Sequence, residues 1–295
     1  MIADIAVLLA LMTGAGAIAG IAGGAFGAGG GIFLFPAMLT ALEAAGYAPQ
    51  VAAPVALGSS LTVVAGLAAR SLWLRTRGGG GMASVNGVAS DLSGGAPLSR
   101  VLPALALGGV AGGGAAAVWA ETVPLIAFTA GAVLVAWLSV QGDQGRLKRR
   151  GKSPVLGLTP MGRQMAAFLG SGGLAAGGLG GAGLRRGVFS FWGEKAPNVS
   201  AVMPFAVLVA AASGLLGWLL LWLTLRGWGP VAGQPPLTVA GINPLSAFVA
   251  GGAMALTTPL GAQAIERVKP RLRLFGFFAL LVFLGVSALR TVLIR

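Results

Sequence analysis

Long uncharged stretches constrain this chain more than any other feature. Ile5 to Leu42, Val101 to Ala120, Thr122 to Gln141, Ala201 to Leu225 and Gly227 to Ala264 hold no Asp, Glu, Lys or Arg. Each approaches or exceeds the roughly 20 residues that an α-helix needs to cross a bilayer. None alternates polar with apolar residues, the pattern that a membrane β-barrel imposes. With 56% hydrophobic and 9% charged residues, the 295-residue chain also lacks the polar surface of a soluble globule. The sequence therefore predicts an all-α polytopic membrane protein.

Glycine-rich breaks interrupt two of the apolar regions. The first reads Gly27-Ala28-Gly29-Gly30-Gly31-Ile32-Phe33 and the second Gly183-Leu184-Arg185-Arg186-Gly187-Val188-Phe189. Pro97-Leu98-Ser99 likewise recurs as Pro244-Leu245-Ser246. These recurrences divide the chain into a first transmembrane repeat at 1–145, a basic linker at 146–162 containing Arg146-Leu147-Lys148-Arg149-Arg150, and a second repeat at 163–295.

Each half reads as a broken or re-entrant helical hairpin followed by three transmembrane helices, giving eight to ten membrane segments in all. The first hairpin covers Ile5 to Leu42, with spans near Val51 to Leu74, Val101 to Trp119 and Val123 to Val140. The second covers Gln164 to Gly193, with spans near Val199 to Leu225, Leu245 to Ala264 and Leu272 to Leu293. A hairpin returns the chain to its starting side and three spans reverse it, so the halves form an inverted-topology repeat. Arms of ~20 Å in the second hairpin fall short of a ~30 Å hydrocarbon core, which puts a tip carrying Arg185 and Arg186 inside the membrane.

Charge sets the orientation. A formal charge of +13 in a soluble protein points to nucleic acid, but here the basic residues sit between spans and no nucleic-acid partner is expected. With the N-terminus outside, fifteen Lys and Arg face the interior and only Arg226, Arg290 and Arg295 face outward. The N-terminal Met1-Ile2-Ala3-Asp4 lacks the basic residue of a cleaved signal peptide and reads as the first membrane element. Gly78 to Ala96 reads as a flexible cytoplasmic loop. Trp73, Trp119, Trp137, Trp218, Trp222 and Trp228 near span ends read as interfacial anchors against membrane lipid.

The chain contains no Cys and no His. That inventory removes thiolate chemistry, the commonest metal ligand and the usual base for a serine nucleophile, so no metal, no cofactor and no enzymatic activity are expected.

Gly27-Ala28-Gly29-Gly30-Gly31-Ile32-Phe33-Leu34-Phe35-Pro36, followed by Ala56-Leu57-Gly58-Ser59-Ser60-Leu61, resembles the TauE/SafE sulfite-exporter family. The resemblance extends over nearly the whole chain. It implies a multi-pass protein of the bacterial inner membrane that exports sulfite or an organosulfonate. The second half departs from the family pattern: Arg185-Arg186-Gly187 stands where glycines are expected, and Ser200-Ala201-Val202-Met203-Pro204-Phe205 where the serine pair would recur.

The expected substrate site comprises Gly29, Gly30 and Gly31, Ser59 and Ser60, and Arg185, Arg186 and Gly187. Glycines at a break admit close approach of backbone to ligand, and the free N–H groups of the following helix favour an anion. Their other reading is tight helix packing. For the arginines the alternatives are substrate contact, pairing with a carboxylate such as Glu194, or a plain loop. For the serines the alternative to ligation is bonding to the preceding turn. An anion channel, or an exporter of a carboxylate, uses the same features. The oligomeric state, a homodimer included, stays open.

Overall fold

The structure is a computed structural model that describes residues 2–26, 30–77, 98–148, 160–182, 184, 196–229, 231–266 and 268–293. Its helices are α1 (Ile2–Phe26), α2 (Gly31–Ala44), α3 (Pro49–Arg77), α4 (Leu98–Val118), α5 (Val123–Lys148), α6 (Pro160–Gly177), the single turn α7 (Gly180–Ala182), α8 (Ala196–Arg226), α9 (Pro244–Glu266) and α10 (Pro270–Leu293). Among the described residues there is no strand beyond an isolated bridge between Val239 and Ile242. Five helices contain spans long and apolar enough to cross a membrane: Asp4–Phe26, Pro49–Arg75, Val101–Val118, Val202–Arg226 and Pro244–Glu266. This is a membrane-embedded, all-helical protein.

Small residues set the helix pairing, as expected where lipid offers no hydrophobic drive for helices to associate. Along α1, Gly16, Gly20 and Gly24 share one face at four-residue spacing and lie against Ala250, Met254 and Thr258 of α9. Both sets of numbers rise together, so α1 and α9 run parallel. The contact is backbone on backbone: a Cβ on Gly24 would lie 2.9 Å from Ala262 N. Thr257 Oγ1 closes the seam by donating to Ala17 O at 3.1 Å.

Helix α4 makes two seams of the same kind. Gly108 and Gly112 meet Phe168 and Gly172 of α6, while Gly109 and Gly113 meet Ala210 and Gly214 of α8. Those pairings are parallel too. α5 packs on α10, where Thr129 Oγ1 donates to Gly285 O at 3.2 Å.

The centre of the molecule is α2 with the first part of α3. Every residue from Ala52 to Leu61 is buried, as is every residue from Gly30 to Pro36. A helix buried on all faces needs neighbours all round, and α3 has them in α2, α8 and α9. Aromatic rings fill the space beside α2: Phe35 meets Phe128 at 5.5 Å between centroids, and Phe33 meets Phe26 and Phe277.

Two tryptophans correct the sequence expectation. Trp73, Trp119, Trp137 and Trp228 are exposed, but Trp218 and Trp222 are 0% and 1% exposed and stacked at 5.1 Å. The reason is the segment between α8 and α9, which folds back over them. Trp218 Nε1 donates to Ala240 O at 2.9 Å, and Gly241 (φ +71) seats against both rings, where a Cβ would lie 2.9 Å from Trp218 Cζ2.

Candidate functional site

Gly30 caps α2 in the left-handed conformation (φ 68), without a side-chain hydrogen bond. Its carbonyl accepts from both Phe33 N and Leu34 N, so the helix starts abruptly at Gly31, where the sequence begins the second arm of the hairpin. α2 has 14 residues, or about 21 Å, and cannot cross a ~30 Å core. Its N-terminal end carries the positive end of the helix dipole.

The second hairpin breaks in a comparable way. α6 ends at Gly177, and Gly178 (φ +63) and Gly180 (φ +58) turn the chain. This turn lies five residues before the break expected at 183–189, a stretch of which only Leu184 is described. Gly29, Arg185, Arg186, Gly187 and Glu194 lie outside the described residues, as do the loop 78–97 and the linker segment 149–159.

The two breaks meet. A Cβ on Gly31 would lie 2.8 Å from Gly180 Cα, and one on Gly180 would lie 2.6 Å from Gly31 Cα. Only glycine at both positions allows such an approach, and positive φ demands it again at Gly180. Val64 of α3 abuts Gly31, Phe35 and Leu57 abut Gly178, and Leu179 is buried against Gly131 of α5. On the other side, a side chain on Gly30 would strike Met254 of α9.

The serine pair divides. Ser60 lies one turn before Val64, yet its Oγ donates back to Leu57 O at 2.9 Å, the turn bond common for serine in membrane helices. Ser59 Oγ faces another way and accepts from Asn243 N at 3.0 Å. Beside it Gly58 admits the carbonyl of Gly241, which would be 2.7 Å from a Cβ there. The structure thus joins Ser59 to the segment ahead of α9.

Asn243 organises that segment. Its Nδ2 donates to Pro236 O at 2.8 Å and to Thr238 Oγ1 at 3.2 Å, while its Oδ1 accepts from Ser246 N at 2.8 Å and caps α9. Ser59, Thr238, Asn243 and Ser246 are all buried. Leu237 (φ 66) and Ala240 (φ 51) are non-glycine residues in left-handed conformations, each costing roughly 1–3 kcal/mol that the surrounding bonds must hold. Ser246 Oγ and Trp222 Nε1 are buried with no hydrogen-bond partner among the described residues.

Sequence reasoning missed Asn243, Thr238, Ser246, Trp218, Trp222 and Gly180. Two signals were present: an Asn-Pro pair directly before an apolar run is a helix-start pattern, and Trp218 with Trp222 is an i, i+4 pair on one face. Comparison with family models, curated proteins and solved structures returned no match. The functional reading rests on residues and geometry.

Proposed function

We propose that this chain exports a small anion, sulfite or an organosulfonate as the TauE/SafE resemblance implies, from a site between the tips of its two hairpins. The observation that carries this reading is the backbone contact between Gly31 and Gly180. Broken elements from the two halves of a chain, meeting within the membrane, are how inverted-repeat transporters form a site.

The exchange of partners between the halves supports the repeat. α1 of the first half packs parallel to α9 of the second, and α6 of the second packs parallel to α4 of the first. α3 and α8 also end alike, each on a Trp-x-x-x-Arg pair: the Arg77 guanidinium lies 4.0 Å from the Trp73 ring and that of Arg226 4.5 Å from Trp222. With the N-terminus outside, these two ends face opposite sides of a bacterial inner membrane. Export of an anion then follows an inside-negative potential, which contributes about 2.3 kcal/mol per charge at ~100 mV. Arg185 and Arg186, just beyond the Gly178–Gly180 turn in sequence, supply the cations for the anion.

Arg185→Gly, Arg186→Gly and the matching Lys variants test the site by sulfite binding and by flux. For the contacting arginine, Gly is expected to weaken binding at least tenfold, about 1.4 kcal/mol. Lys keeps the charge without the planar fork and should lose less. Folded Gly variants at both positions that bind and transport as wild type does contradict the site.

A further inference from the structure

We propose that the segment 231–243 is an outer gate over the anion site, docked in this structure and released when α9 moves away from α3 and α8. The inference rests on the anion-export reading, with both termini outside. It adds the device that seals one face of the site, which alternating access requires.

The segment holds its own shape. Val239 and Ile242 exchange backbone hydrogen bonds at 2.8 and 2.9 Å, Thr238 Oγ1 donates to Pro235 O, and Asn243 Nδ2 donates to Pro236 O and Thr238 Oγ1. Asn243 also fastens it to α9, because its Oδ1 and main-chain O accept from Ser246 N and Ala247 N. Among the described residues two hydrogen bonds tie it to other helices: Asn243 N to Ser59 of α3, and Trp218 Nε1 of α8 to Ala240 O. Leu237 and Val239 are exposed, so the segment is gripped from one side. Toward α8 the chain passes through Gly227 (φ +73) and Gly229, each with open space where a Cβ would be. A folded unit that is glycine-linked at one end, fastened to α9 at the other and lightly bonded to α3 and α8 is built to swing with α9.

Its position makes it a gate. α3 and α8 both touch the hairpin tips: Val64 lies against Gly31, Leu57 against Gly178 and Val207 against Gly181. The same two helices carry the segment. Val51 lies beside Gly233, Gly58 beside the Gly241 carbonyl, Ser59 holds Asn243 N, and Trp218 and Trp222 pack on Gly241. On α3 these contacts run from Val51 to Ser59, which is five residues or about 7.5 Å short of Val64. On α8 they begin at Trp218, eleven residues or about 16 Å beyond Val207 toward Arg226. With both termini outside, the Pro49 end of α3 and the Arg226 end of α8 face outward, so the segment bridges these helices on the outer side of the glycine contact. Leu57, Gly58 and Ser59 are consecutive, and one turn of α3 thus meets the tip through Leu57 and the gate through Gly58 and Ser59.

The cysteine-free chain allows the gate to be tied shut. A Cβ on Gly233 would lie 3.8 Å from Val51 Cγ2, so Val51→Cys with Gly233→Cys is suited to bridging by dibromobimane, whose thioethers sulfite does not cleave. In liposomes the bridged full-length protein is expected to pass sulfite at least about tenfold more slowly than the unbridged double variant, or than either single variant treated with the same reagent. Bridged protein that passes sulfite at the unbridged rate overturns the gate. Failure of the two cysteines to bridge overturns it too, since the docked segment puts them side by side. A second measurement needs no bridge. Ser60 is buried one turn before Val64, and Ser60→Cys in intact cells should react with an impermeant thiol reagent only as the gate opens. The reaction should be faster when Trp218→Phe removes the bond to Ala240 O. No labelling in either background marks a fixed plug and overturns the proposal. Wild type that carries no sulfite contradicts the export reading itself, whereas sulfite flux that the bridge leaves intact contradicts the gate alone.

Discussion

Ser59 and Ser60 are neighbours in sequence with unequal ties. Ser60 Oγ only returns to Leu57 O within its own helix, whereas Ser59 Oγ is the acceptor for a backbone N–H 184 residues away. Ser59→Ala leaves the Asn243 N–H buried and unsatisfied, and should cost about 1–3 kcal/mol. Ser60→Ala leaves the Leu57 carbonyl its helical bond and should change stability by less than ~0.5 kcal/mol. Thermal unfolding of the two variants side by side checks the difference. Trp218→Phe keeps the ring stack but loses the bond to Ala240 O, and should cost about 1 kcal/mol. None of these ties was legible in the sequence. Hydropathy placed both tryptophans at a span end, and their burial depends on a distant segment folding back.

At the scale of elements, the packing is written in glycines. Gly20 has Met254 O 2.6 Å from where a Cβ would be, while Gly14, on the same helix, has nothing within 4 Å. Gly20→Ala must push α1 off α9 and is expected to destabilise by roughly 1–3 kcal/mol. Gly14→Ala meets open space, gains helix propensity of up to ~1 kcal/mol, and should raise the thermal midpoint or leave it unchanged. The helices themselves were legible from hydropathy, since α3, α4, α8, α9 and α10 begin and end within a few residues of the expected spans. Which helices pair was not legible, because a face of small residues does not name its partner. Of the second hairpin the described residues show a turn at Gly178 and Gly180, where φ is positive and which the sequence pattern did not single out; the expected break at 183–189 lies outside them apart from Leu184.

For the whole molecule, parallel seams give α1 and α9 one direction and α4, α6 and α8 a common direction. An orientation with both termini outside satisfies these seams together with the fifteen-to-three distribution of basic residues. Because the chain has no cysteine, single cysteines at positions 149 and 269 give a clean readout. Neither should react with an impermeant thiol reagent in intact cells, and labelling of either from outside contradicts the orientation. The central claim is that an anion passes through this molecule under the membrane potential. Purified protein in liposomes loaded with sulfite, with voltage set by a potassium gradient and ionophore, tests it directly. Efflux is predicted to follow the imposed voltage and to persist when the pH gradient is collapsed; flux that needs a pH gradient and ignores voltage, or flux no greater than in protein-free liposomes, contradicts it.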